Sequence, residues 1–153
     1  MLLKLIFHQE FAIKDIRKLI FFLGLEIGYL TDGIVLTQHK FTRELLVDSD
    51  IDLNKKTVTS LPVHMKLTAD EGDLLHDSEL YRSLVGKLNF LTNTRLDLSY
   101  TIQTLSQFLQ LPSSQWQDLT HSLRYVGHSV SQGILMRATP SLSLQAFSDS
   151  DWA

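Results

Sequence analysis

Cysteine is absent from this chain of 153 residues, which excludes disulfides, thiolate zinc sites and a cysteine nucleophile. An excess of positive charge is also lacking. Lys and Arg number 14 against 17 Asp and Glu, for a net charge of −3, so charge alone does not announce a nucleic-acid binder. Long hydrophobic runs are missing as well. Met1-Leu-Leu-Lys-Leu-Ile-Phe7 is broken by Lys4 and closed by His8-Gln-Glu10; it is too short to span a membrane, and no small-residue cleavage site follows. No signal peptide or transmembrane segment is therefore expected. The protein is expected to be intracellular, in an unspecified compartment, and the run reads as a core strand or helix. Proline and glycine number three and seven, and no internal repeat or low-complexity tract is visible. Nor is there a GxxxxGK[ST] or GxGxxG phosphate cradle or a GxSxG elbow.

What is present suits folding. At 44% hydrophobic the chain lies at the low edge of the globular range, above that of disordered segments, and its length suits one or two small domains. Leu19-Ile-Phe-Phe-Leu-Gly-Leu-Glu-Ile27 reads as a strand buried on at least one face. Thr31-Asp32-Gly33 supplies a turn in which glycine tolerates positive φ, and Ile34-Val-Leu36 is the return strand. A β-hairpin is thus predicted over 19–37. From Gln38 to Asp50, Phe41, Leu45 and Leu46 recur at helical spacing. Residues 51–78 are polar, with Pro62 and Asp70-Glu-Gly-Asp73, and read as a linker or long loop.

Three helical stripes follow: Leu80, Leu84, Leu88 and Leu91, widened by Tyr81 and Val85; Leu98, Ile102, Leu105 and Leu109, ending before Pro112; and Trp116, Leu119, Leu123 and Val126, with Ser113 or Ser114 as N-cap. Gly133-Ile-Leu-Met136 and the alternating Ser141-Leu-Ser-Leu-Gln-Ala-Phe147 read as two strands. The fold class is α+β: an N-terminal hairpin with a helix, a helical bundle, and a short strand pair at the C-terminus. The second of these strands runs directly into Ser148-Asp-Ser-Asp-Trp-Ala153, which reads as the opening of a further domain.

Asp149 and Asp151 are the metal candidates. At i and i+2 on a strand they point to the same side, and hard cations such as Mg²⁺ take oxygen ligands. A two-metal nuclease site needs further carboxylates, so catalysis by this chain alone is not expected. His8, His39, His64, His76, His121 and His128 show no chelating spacing; His121 and His128 are seven residues apart on one helical face. Asp70-Glu-Gly-Asp73 lacks the ligand spacing of a calcium loop and reads as solvated. Lys14, Arg17, Lys18, Lys40, Arg43, Arg82, Lys87 and Arg95 form a solvated face unless the fold gathers them into a groove that neutralises phosphates.

Several motifs, in order, carry a resemblance to a known family. Phe11-Ala-Ile-Lys-Asp15, Phe21-Phe-Leu-Gly-Leu-Glu-Ile27 and Gly33-Ile-Val-Leu-Thr-Gln38 come first. Tyr81-Arg-Ser-Leu-Val-Gly-Lys-Leu-Asn-Phe-Leu91, Thr94-Arg95 with Asp97, Leu105-Ser-Gln-Phe108, Leu123-Arg-Tyr125 and Phe147-Ser-Asp-Ser-Asp-Trp-Ala153 follow. Together they resemble the copia-type retrotransposon reverse transcriptase from the end of its palm into its RNase H domain, over essentially the whole chain.

The resemblance implies that residues 1–38 are the last palm elements, that the hairpin over 21–36 is primer-grip-like, and that Phe22, Leu23 and Gly24 within it bind nucleic acid. Residues 39–130 would be thumb and connection, mainly helical with the 51–78 loop, and 131–153 the start of an RNase H-like domain. It further implies that Arg82, Lys87 and Arg95 contact a template–primer duplex of DNA or RNA. By the same resemblance Asp149 would be the first RNase H carboxylate. The family's Tyr-Val-Asp-Asp carboxylates have no counterpart here, since the chain holds no Asp-Asp dipeptide. Mg²⁺ is implied only for the complete parent enzyme.

Departures are visible. Thr-Arg-Pro-Asp reads Thr94-Arg-Leu-Asp97, Arg-Tyr-Leu-Lys-Gly-Thr reads Arg124-Tyr-Val-Gly-His-Ser129, and Lys-Asp-Leu-Gly reads Lys14-Asp-Ile-Arg17. Two functional expectations follow: a truncated fragment that at most binds a nucleic-acid duplex weakly, and a protein-interaction or inert remnant of a transposon gene that binds none.

Overall fold

A computed structural model describes residues 2–11, 18–62, 78–110 and 115–139. Among them the chain forms helix α1 (Leu2–Glu10), strands β1 (Phe21–Phe22), β2 (Leu25–Leu30) and β3 (Gly33–Thr37), helix α2 (His39–Ser49), helix α3 (Ser78–Leu91), a 3-10 turn (Leu96–Leu98), helices α4 (Ser99–Ser106) and α5 (Gln115–His128), and strand β4 (Ile134–Arg137). The class is α+β. The four strands make one antiparallel sheet in the order β1-β2-β3-β4.

The core is helical. Leu45 of α2, Tyr81, Leu84, Val85, Leu88 and Leu91 of α3, Leu98, Ile102 and Leu105 of the turn and α4, and Leu119, Leu123 and Val126 of α5 form one buried cluster. α3, the turn with α4, and α5 each contribute a stripe at three- and four-residue spacing, which closes only when the stripes face one another. The spacing of leucines therefore located α3, α4 and α5 correctly. Leu109, expected to continue the second helix, lies beyond the end of α4 and still packs on the cluster. Ser113 and Ser114 lie outside the described residues.

Polar groups fix how α2 enters this bundle. Its N-cap residue, Gln38, makes no side-chain capping bond. Instead the carboxylate of Glu26, across on β2, accepts the Lys40 backbone N–H at 2.7 Å, a favourable place for negative charge at a helix N-terminus. Gln38 is buried, and its side chain donates to the Phe90 carbonyl and accepts from the Thr94 hydroxyl. The start of α2 is thereby tied to the end of α3. At its other end Asp50 takes a left-handed conformation, φ 47°, which Asp tolerates better than most residues.

The sheet follows other rules. The expected single strand over 19–27 is broken: Phe21–Phe22 and Leu25–Leu30 pair with each other around a two-residue turn. Leu23 at φ 48° and Gly24 at φ 82° make that turn, the positive-φ pair that matches strand twist in tight hairpins. The hairpin predicted over 19–37 is present as β2 and β3, closed at Leu30 and Gly33. Gly33, however, has no positive φ. It is small for a different reason: a Cβ there would collide with the Met136 carbonyl of β4.

β4 pairs with β3, Leu36 opposite Ile134 and Ile34 opposite Met136. The strand expected at 141–147, and the loop at 70–73, lie outside the described residues. Register places Ile27, Leu36 and Ile134, and likewise Tyr29, Ile34 and Met136, on the same sheet face. None of these apolar side chains enters the buried cluster.

Two further expectations are corrected. The N-terminal run forms helix α1, in which Ile6 and Phe7 are not core, each 49% exposed. Residues 51–62 lack regular structure but are not a free linker. The Arg124 Nε donates to the Asp52 carbonyl, Ser122 donates to the Ser60 carbonyl, and Thr101 donates to Ser60 Oγ. Leu53 packs against Gly127, where a Cβ would lie 2.8 Å from its methyl group. Gly127, the penultimate residue of α5, leaves room for this contact.

Candidate nucleic-acid interface

The hairpin tip is held by the bundle while its side chains face outward. Gly24 lies against the Phe90 ring, which a Cβ would approach to 2.7 Å. Phe90 in turn makes an edge-to-face contact with Phe41 of α2, centroids 4.9 Å apart, the arrangement ring quadrupoles favour. With Gly24 pinned, Phe22 and Leu23 project to solvent, 53% and 75% exposed. The tip residues expected to face a ligand are thus placed together on a fixed support.

The three basic residues are not gathered with them into one groove. Arg82 and Lys87 lie five residues apart on α3, so they point about 140° apart around the helix. Arg82 Nη1 donates to the Leu109 carbonyl at 3.2 Å, and Lys87 Nζ binds Asp48 Oδ2 of α2 at 2.7 Å. Lys87 stands one turn from Phe90, and so near the tip's support.

Arg95 is 4% exposed. Its Nε and Nη2 form a forked pair with the two oxygens of Asp97, 2.9 and 2.7 Å away. Nη1 donates to the Ser129 carbonyl and Nη2 also reaches Ser129 Oγ. Tyr125 adds its hydroxyl to Asp97 at 2.9 Å and places its ring 5.4 Å from the guanidinium. Forked pairing of this kind is strong and directional. It spends the donors that a phosphate contact would need, so the structure shows Arg95 joining the turn after α3 to the end of α5.

Hydrogen bonding from Arg95, helped by Tyr125 and opposed by burial, holds the Asp97 carboxyl below its ordinary value. Burial first, and then Asp97, pushes the Tyr125 hydroxyl up. Burial pushes up the hydroxyl of Tyr81 too, which donates to the Leu105 carbonyl at 3.0 Å inside the core. The family resemblance marked Arg95 and Asp97, but nothing in the sequence paired them with Ser129 and Tyr125, which arrive from about thirty residues on. At the departure site Leu96 is 68% exposed and opens the 3-10 turn, a place that proline's fixed φ also suits.

A cavity of about 360 Å³ lies beside this cluster, between residues 94–97 and Gln132–Ile134. Among the described residues no three His, Asp or Glu converge as a metal site. His121, read as hydrogen-bonded or solvated, sits 3.0 Å from the Thr59 carbonyl through Nε2. Asp149 and Asp151, the strand-end carboxylates, lie outside the described residues. No described helix is long and apolar enough to cross a membrane.

Comparison with curated proteins finds several relatives. The chain is 37% identical over 146 residues, 95% of its length, to the retrovirus-related Pol polyprotein from transposon RE2 of Arabidopsis thaliana, of which it spans 10%. It is 32% identical, again over 95% of its length, to an uncharacterized mitochondrial protein of the same plant, spanning 60% of that protein. The putative transposon Ty5-1 protein of Saccharomyces cerevisiae is 32% identical over 91% of the chain, which spans 46% of it. No protein-family model matches the chain, and no solved structure does.

Proposed function

Because the chain belongs to the copia-type retrotransposon Pol family, we propose that it is the part of a reverse transcriptase that holds a template–primer duplex, without a complete catalytic site of its own. The observation that carries this reading is the match to Pol polyproteins along 95% of the chain. In this reading the β1–β2 tip, with Phe22, Leu23 and Gly24, lies at the primer end, and the bundle is thumb and connection. Arg82 and Lys87 supply phosphate contacts by exchanging their partners at Leu109 and Asp48. Arg95 acts at one remove, by fixing the turn after α3.

Backbone-phosphate binding is salt-sensitive and indifferent to sequence. Fluorescence anisotropy with a labelled DNA–RNA hybrid is expected to show weak binding that fades as salt rises. Absence of binding at low salt would remove the proposal. Polymerase and RNase H assays with Mg²⁺ are expected to be negative for this chain by itself.

A second reading is supported by the exposed apolar residues Phe21, Phe22, Leu23, Leu135 and Met136 of the sheet: a protein-interaction remnant that binds no nucleic acid. Contiguous apolar surface marks contact sites or association, and sheet edges invite pairing. Size-exclusion chromatography separates the two readings, a monodisperse monomer favouring duplex binding and self-association favouring the second.

A further inference from the structure

Arg82, Lys87 and Arg95 are each engaged with protein groups, but a second set of cations is placed differently. A cavity of about 350 Å³ opens between α5 and the segment that crosses it, with Lys55 on one side and Gln117, Asp118, Thr120, His121 and Arg124 on the other. The helix residues recur at three- and four-residue steps, so α5 presents them as one stripe. Bonds from Ser122 to the Ser60 carbonyl, from Arg124 Nε to the Asp52 carbonyl and from His121 Nε2 to the Thr59 carbonyl hold the segment in place. A carbonyl only accepts, so His121 Nε2 carries the proton there.

We propose that this cavity is a phosphate site, taking a backbone phosphate of the bound nucleic acid. Arg124 spends its Nε on the Asp52 carbonyl, which orients the guanidinium and leaves its Nη edge without a protein partner among the described residues. Lys55 likewise forms no ion pair among them, and Lys56 follows it on the same exposed segment. A planar guanidinium and a mobile ammonium across a fixed gap suit an oxyanion with several acceptors. Asp118 is the opposing charge, and its half-buried carboxyl sets the sign of the test.

The proposal rests on the duplex-binding reading, and the experiment separates their failures. Anisotropy with the labelled DNA–RNA hybrid is measured across a salt series for the intact chain and for Lys55→Ala, Arg124→Gln and Asp118→Asn, each checked for helicity by circular dichroism. Lys55 makes no described structural bond, so its substitution remains informative even where Arg124→Gln loosens the segment. Lys55→Ala is expected to weaken binding several-fold and to lower the slope of log affinity against log salt by about one. Asp118→Asn is expected to strengthen binding. Hybrid binding that Lys55→Ala and Asp118→Asn both leave unchanged overturns the cavity and spares the duplex reading. No binding by the intact chain overturns both.

Discussion

Leu88 and Ile34 are both aliphatic residues in regular secondary structure, yet their surroundings differ. Leu88, on α3, is wholly removed from water and touches side chains from neighbouring helices, whereas Ile34, on β3, remains partly exposed among other apolar residues of the sheet. The contrast holds for the regions they represent. The bundle contributes every residue of the buried apolar cluster; the sheet contributes none. Burial at about 25 cal/mol per Å² is the dominant favourable term in folding, so the bundle carries the stability of the described chain and the sheet is held on to it. A platform that stays wet while its support is dry suits contact with something else.

The largest way to break the contrast is to empty the bundle. Leu88→Ala is expected to cost about 2–5 kcal/mol, read by urea denaturation of the full chain. Ile34→Ala in the sheet is expected to cost about 1 kcal/mol or less, because little transfer energy and no closed cavity are involved. Equal losses would erase the distinction.

The next effect concerns the join. Arg95→Ala leaves the Asp97 carboxylate without its forked partner and frees the end of α5, a loss of about 1–3 kcal/mol. The pH dependence has a definite sign. Asp97 titrates lower in the folded chain than its ordinary 3.8, so its contribution is fully present above that value. It is lost as the pH falls through the lower folded value. An acid titration of thermal stability should therefore lose part of its low-pH decline in Arg95→Ala.

Smaller still is a change confined to the sheet. Gly33→Ala drives a methyl group into the Met136 carbonyl and brings it within 2.9 Å of Arg137 Cα. Such overpacking costs about 1–3 kcal/mol where the structure cannot yield. Here β4 can separate from β3, so the expected result is faster amide exchange at 134–137 with little change in global unfolding. The least effect is expected from Lys87→Ala: its exposed pair with Asp48 is worth about 1 kcal/mol or less, and the denaturation midpoint should hardly move.

The bundle was legible in the sequence because its information is local. Leu84, Leu88 and Leu91, or Leu119, Leu123 and Val126, declare a helical face within a dozen residues. The sheet was legible only where a pattern was local too, as in Ile34-Val-Leu36. Leucine at a positive-φ turn position gives no warning, so the break at Leu23-Gly24 was read as continuous strand. The partner of β4 lies about a hundred residues back, and nothing short-range identifies it; Gly33 looked like a turn residue when it is the point of close approach. Among the candidate site residues, Phe22, Leu23 and Gly24 came from the ordered motifs, and that Leu23 and Gly24 form a turn did not. That Arg95 is spent on Asp97 and Ser129 depends on α5 folding back over the turn, which spacing alone does not show. Lys55 and Arg124 were passed over for the same reason: they are distant in sequence and meet only across the cavity.

Hydrogen–deuterium exchange of the full chain, with and without a DNA–RNA hybrid at low salt, tests the division between support and platform most directly. Without the hybrid, amides of α3, α4 and α5 should exchange slowly and those of the sheet faster, since regions with few buried apolar contacts open more readily. With the hybrid, protection should rise at the β1–β2 tip and around Lys55 and Arg124. Uniform exchange across bundle and sheet, together with no protection by the hybrid, would contradict the account.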